Sequence, residues 1–183
     1  MMFAGWLRPH RVLIATAVVA AGVLACRDTT TPKEVSNAGV AFEPRSTDAS
    51  PGFVPTGLGR GNLGTFHIKS KAAGYDVELK SHDNTDIAVA KIVIAPGANS
   101  GWHFHPGPVL VVVKSGAVTF YEGNDPTCSP TVHPANTAFV EKGGDVGFAR
   151  NEGSVEAIVV ATFFVPAGGD TRIGAPRPGN CTF

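Results

Sequence analysis

The chain is short of charge. Of its 183 residues only 16% are charged, and 15 Lys and Arg balance 15 Asp and Glu to a formal net charge of zero. That balance excludes the broad basic surface through which proteins hold nucleic acid. Cysteine is scarce as well: there are three, no two of them spaced as CxxC, which disfavours a thiolate zinc site. The uncharged run from Val12 to Ala25 has 14 residues, short of the roughly 20 that a membrane-spanning helix needs. Outside that run no stretch carries the 3.6-residue periodicity of an amphipathic helix. A phosphate-binding glycine loop, a GxSxG elbow, an HExxH helix and any Ser/His/Asp or Cys/His arrangement are missing too, which removes the usual nucleotide and nucleophile chemistries.

What remains is apolar and full of turns. Hydrophobic residues make up 43% of the chain, beside 22 Gly and 14 Pro, which points to one packed, all-β domain. Arg8 and Arg11 precede the Val12–Ala25 run, which ends on small residues, and this reads as a secretory signal over residues 1–25. The string Val23-Leu24-Ala25-Cys26 resembles the bacterial lipobox, which implies that Cys26 becomes lipid-modified and anchors an exported protein to a membrane of the cell envelope. Cys128 and Cys181 then remain as an even pair in an oxidising compartment, where a disulfide is expected and two free buried thiols are the alternative. Such a bridge closes 53 positions and would stabilise by about 4 kcal/mol while pinning a Pro/Gly-rich tail. Residues 26–56 are rich in Thr, Ser and Pro without periodicity and read as a tether; residues 57–183 read as the folded domain.

Short runs rich in Val, Ile, Phe and Thr, broken by Gly, Pro, Asn and Asp, predict strands at 65–71, 76–81, 87–95, 102–105, 109–114, 117–122, 137–141 with 146–150, and 155–165. Strands this short and this regularly spaced suggest a sandwich or small barrel. Within GANSGWHFHPGPVLVVVKSG, His103 and His105 are two apart, so on an extended strand both imidazoles leave one face while Trp102 and Phe104 leave the other. Such a pair can grip a divalent metal inside a barrel; two satisfied histidines on an exposed strand are the alternative.

The surrounding residues resemble the cupin superfamily, whose first motif is G(X)5HXH(X)3,4E(X)6G and whose second is G(X)5PXG(X)2H(X)3N. Gly97, His103, His105 and Gly116 match the first motif, with Val109 or Leu110 where its Glu would stand; Gly144 and Asn151 match the second, with Asn136, Lys142 and Gly147 replacing its first Gly, its Pro and its His. The resemblance covers about residues 57–166 and implies an antiparallel double-stranded β-helix, or jelly roll, with the HxH pair facing the interior. Members that hold Fe, Mn, Zn or Ni use both HxH histidines, the Glu and the second-motif His, of which this chain keeps two. Asp145, in phase with Gly147 if that segment is extended, and His133, in a proline-flanked loop, are weak candidates for a third ligand. His67 and His82 read as solvent-facing and turn residues. Val109, Val111 and Val113, in phase with the histidines, would line a ligand cavity with Gly147 and Ala149 across the barrel.

Three functions follow as expectations: a barrel that binds a small molecule, with a weak divalent metal at His103 and His105; a metal-dependent enzyme of dioxygenase or isomerase type; or a structural module without a ligand. No catalytic residue is assigned, no nucleic-acid partner is expected, and a homodimer is left open. The location makes a first prediction: the mature chain begins at a lipidated Cys26. Intact-mass analysis of the membrane fraction should find diacylglyceryl-modified protein starting there, and a mature N-terminus elsewhere would reject the assignment.

Overall fold

The computed structural model describes residues 49–183. The signal segment, Cys26 and most of the tether lie outside the described residues. Ten strands and no helix are found among the described residues: β1 Phe53–Ala72, β2 Tyr75–Ile94, β3 His103–Phe104, β4 Val109–Ser115, β5 Ala117–Glu122, β6 Pro130–Pro134, β7 Ala138–Glu141, β8 Gly147–Arg150, β9 Ala157–Pro166 and β10 Ile173–Gly174.

Their pairing follows a simple rule. β5 pairs antiparallel with β6, β4 with β7, β3 with β8 and β2 with β9. The chain from β2 to β9 is thus one long two-stranded ribbon, folded at the turn between β5 and β6 and then coiled. Coiling produces two five-stranded sheets in the orders β1-β2-β9-β4-β7 and β10-β3-β8-β5-β6. This is an antiparallel double-stranded β-helix, the fold class expected from the sequence. Period-2 patterning selects the inner face: Val109, Val111 and Val113 on β4, and Ala157, Val159, Ala161, Phe163 and Val165 on β9, are all buried, while Leu110 and Val112 are exposed. Asn151 is wholly buried, yet its amide donates to Ile94 O and Val155 O at 2.8 Å each and its Oδ1 accepts from Gly153 N, so it ties the end of β2 to the β8–β9 connection without an unmet polar group.

Several boundaries differ from the sequence-based set. β1 begins at Phe53, inside the stretch read as tether, and pairs along its length with β2 as a hairpin closed by Ala73 and Gly74, both at positive φ (50° and 80°), the geometry of a two-residue turn. β6 is an additional strand. Pro130 and Pro134 bound it, and its place at the edge of a sheet is where a missing N–H costs no ladder bond.

Cys128, in the turn between β5 and β6, is bridged to Cys181 in the tail with Cα atoms 5.4 Å apart. Around the bridge lies a second small core of Trp102, Tyr121 and Phe148, over which Phe183 packs at ring distances of 6.1, 4.5 and 5.6 Å. The outward side of β3, β5 and β8 is covered by this tail.

Between β9 and β10 the chain crosses the barrel mouth as a strap, residues 167–172. Its first anchor is Asp86, whose carboxylate accepts from Gly168 N at 2.9 Å, Arg60 Nε at 2.8 Å and Asn62 Nδ2 at 2.8 Å. These donors, the Gly168 N–H foremost, hold the Asp86 carboxyl down from the ordinary 3.8 to about 2. A carboxyl depressed by folding adds stability above its unfolded value and loses it as pH falls, here through the window from 3.8 to about 2. Asp86→Asn should therefore be less stable at neutral pH and show a flatter loss of stability on acidification across that window, as read by denaturant titrations at stepped pH. Acid limbs of equal slope would show that the strap anchor does not depend on the charge.

Candidate metal centre

His103 and His105 stand on and just beyond β3, both buried, with their rings edge to face at 4.8 Å. Glu141 ends β7. The three converge: His103 Nε2 lies 3.1 Å from His105 Nε2, and Glu141 Oε2 lies 3.1 Å from His105 Nε2 and 3.9 Å from His103 Nε2. Among the described residues this is the one His/Cys/Asp/Glu group able to hold a metal ion.

Glu141 was absent from the sequence-based candidates, and its position explains both the omission and the missing motif acid. Val109 on β4 is the cross-strand partner of Glu141 on β7. Directly opposite residues of an antiparallel pair share a face, with Cβ atoms about 5 Å apart. A carboxylate carried at 141 therefore enters the space that one carried at 109 would enter. The loops behind the two ligand strands are locked together: Gly144 N donates to His105 O at 2.8 Å, and a Cβ on Gly143 would stand 2.7 Å from Gly107 Cα, so only glycine permits the approach.

The other sequence-predicted residues are placed as follows. Asp145 is exposed in the turn between β7 and β8, where strand parity does not apply. His133 lies on β6 and stacks on Phe139 at 4.0 Å, and it is not one of the three converging donors. His67 pairs with Glu78 on the exposed β1–β2 hairpin, and His82 is exposed on β2. Val109, Val111 and Ala149 line the cavity beside the cluster, whereas Val113 is buried in the core without reaching it. Gly147 pairs with His103, but it adds no space: a Cβ there would stand 2.4 Å from Phe120 Cζ. The Phe120 ring fills the place where a histidine at position 147 would project.

The donor set suits a cation. His103 Nδ1 meets Gly101 O at 2.9 Å, and His105 Nδ1 meets Thr171 O at 2.5 Å. Each carbonyl calls for a proton on Nδ1, leaving Nε2 of both rings as an electron-pair donor aimed at the centre, the tautomer that metal-bound histidines adopt. Two nitrogens and a carboxylate oxygen then face one another within 3.9 Å. One proton can bridge only one of the two 3.1 Å contacts; a cation satisfies all three donors. Burial pulls the His103 imidazole down to about 3, against the opposing pull of Glu141, so a proton is unwelcome there. Burial would raise the Glu141 carboxyl, but its contact with His105 and the positive charge of Arg172 hold it below the ordinary glutamate range. With metal–ligand bonds of about 2.1 Å, ligands at right angles stand about 3.0 Å apart, which the separations of 3.1, 3.1 and 3.9 Å approach.

The cluster opens on a cavity of about 180 Å³. Its inner walls are apolar, with Arg60, Ser100 and the strap residues Asp170, Thr171 and Arg172 adding polar groups, and the small residues Ala90 and Ala161 of one sheet and Ala149 of the other leave it room. The strap forms the mouth. Its Thr171 carbonyl orients His105, and Arg172 Nη2 donates to Ser100 O and, at 3.3 Å, to Gly101 O, the carbonyl that also orients His103.

The Phe120–Gly147 contact is testable through stability. Gly147→Ala should destabilise by about 1–3 kcal/mol through overpacking, and Phe120→Leu in the same chain should recover much of that loss, as read from urea midpoints. A neutral Gly147→Ala would mean that the ring does not occupy the position.

No protein-family model matches the chain, and no curated protein does. Solved structures do. A protein with a double-stranded β-helix domain from Klebsiella pneumoniae is similar at 25% identity over 60% of this chain and 84% of its own, with a TM-score of 0.42. An oxalate oxidase matches at 25% identity over 49% of this chain and 46% of its own, TM-score 0.43. A cupin superfamily protein from Desulfitobacterium hafniense matches at 8% identity over 48% and 72%, TM-score 0.38. The fold assignment stands on the strand order itself; the chain is an antiparallel double-stranded β-helix, and these proteins are what it is similar to.

Proposed function

We propose that this chain is an exported barrel that holds one divalent metal ion on His103, His105 and Glu141 and binds a small molecule beside it. The convergence of those three donors, each imidazole set by a backbone carbonyl, carries the reading. Two histidines and one carboxylate on one side of an ion, with the remaining positions open, is a donor set suited to Fe(II), and Mn, Zn and Ni are accepted by the same ligand types. Phe120 keeps a fourth protein ligand out, so the open positions face the cavity. A metal held there would polarise an oxygen of whatever ligand the cavity admits. The protein's own part is to hold the donors in register, orient the ligand between the apolar wall and the strap, and limit water.

That open face favours a second reading, metal-dependent catalysis of dioxygenase or isomerase type, over a structural module without a ligand. Export and a lipid anchor at Cys26 belong to the same proposal, and the Cys128–Cys181 bridge supports an oxidising compartment.

Metal analysis of protein purified without chelator or a histidine tag should find one divalent ion per chain. Glu141→Gln should weaken calorimetrically measured Mn²⁺ affinity at least tenfold, and the double change His103→Ala with His105→Ala should abolish it. Glu141→Gln binding Mn²⁺ as tightly as the parent would sink the three-ligand site, and no binding by a folded parent would return the barrel to the structural role.

A further inference from the structure

The metal reading leaves unexplained why a second positively charged side chain, besides Arg60, lines the cavity next to the cluster. Arg172 lines the cavity beside the cluster, close enough that its charge acts on both His103 and Glu141. It is fixed in place, since its Nη2 is held by the carbonyls of Ser100 and Gly101 and the next residues, Ile173–Gly174, pair with β3. Arg60 also reaches the lining, but its charge is committed to Asp86 at 2.8 Å, and Asp170 on the same strap is exposed, where water screens it.

The inner wall has a matching gradient. Glu141, Val109 and Phe163 lie side by side across three strands at the level of the metal ligands. One row deeper, Val111 stands beside Ala161, and Ala161 beside Ala90. Rows two residues apart along a strand are separated by about 6.6 Å. A ligand with its polar head at the cluster would therefore lay a short tail against the two alanines. A cavity of about 180 Å³ suits a ligand of a few carbon atoms.

We infer that the cavity selects a small aliphatic monocarboxylate, its carboxylate lying between Arg172 and the ion held by His103, His105 and Glu141 and its tail on Ala90 and Ala161. One carboxylate ligand leaves a divalent ion with residual positive charge, and the guanidinium adds a second positive group on the same side, so an anion is favoured over a neutral isostere. The inference rests on the metal reading and extends it to a ligand class.

Butyrate, with six non-hydrogen atoms, is the probe, and butyramide and butylammonium are its controls. Mn²⁺ binding to the full chain is measured first by electron paramagnetic resonance, then butyrate binding by calorimetry and by loss of water-proton relaxation at the ion. Butyrate should bind the loaded chain at least tenfold more tightly than butyramide, and butylammonium should not bind. Arg172→Gln should weaken butyrate at least tenfold while Mn²⁺ affinity stays level or rises, because a positive charge beside the ion has gone; Arg172→Lys should recover part of the loss. Ala161→Leu should exclude butyrate and still admit formate. Butyramide binding as well as butyrate, or Arg172→Gln leaving butyrate affinity intact, overturns the inference. A parallel fall of Mn²⁺ and butyrate affinity in Arg172→Gln also overturns it, assigning Arg172 to positioning Gly101 alone. If the parent chain binds no Mn²⁺, the metal reading fails by itself; the carboxylate inference then survives only if the metal-free chain binds butyrate and Arg172→Gln loses it.

Discussion

The register between β4 and β7 is the constraint on which the centre depends. Setting Val109 opposite Glu141 aims a carboxylate at the two imidazoles. Because side chains alternate faces along a strand, a slip of one residue would turn Glu141 to solvent and bring exposed Val140 inward. The same ribbon pairing sets His103 against Gly147, and the coiling of the ribbon brings Phe163 beside Val109. The apolar core and the polar cluster are therefore two products of one set of backbone hydrogen bonds. Hydrophobic burial holds the register, and the register positions the donors.

This division explains what could be read from the chain before its structure. The shared face of His103 and His105 follows from spacing alone, and so does the alternation along Val109–Ser115; both are local properties. The pairing of Cys128 with Cys181 was legible by a different route, the parity of thiols in an exported chain. Glu141 was not legible, because nothing near it in sequence marks it as a ligand: its role arises from a partner 32 positions earlier on another strand. Gly147 misled for a related reason. A glycine in place of a larger residue suggests room, but the room belongs to whichever side chain reaches into it, here Phe120 from diagonally across the neighbouring strand. β6 escaped notice because its bounding prolines read locally as a loop, and only its edge position makes them compatible with a strand.

The strap shows how a small barrel fixes the finer chemistry. Neither imidazole takes its orientation from a side chain; Gly101 O and Thr171 O do that work, and Arg172 fastens one segment to the other. Carbonyls are supplied by any residue, so the sequence carries no signature of this support. Substitution at Thr171 or Gly101 would leave the carbonyl present and alter only how firmly it is held. The strap's anchor at Asp86, remote from the ligands, is consequently part of what sets their tautomers.

The bridge between the β5–β6 turn and the tail has a topological effect as well. The chain it closes, from Cys128 round to Cys181, contains Glu141, the whole strap and β10, while the two histidines lie outside it on the strand that β10 pairs with. A strap released from its anchors would therefore remain an arc of a closed ring rather than become part of a free tail. That closure limits the entropy such a release could gain, so the bridge weights the chain toward the seated strap.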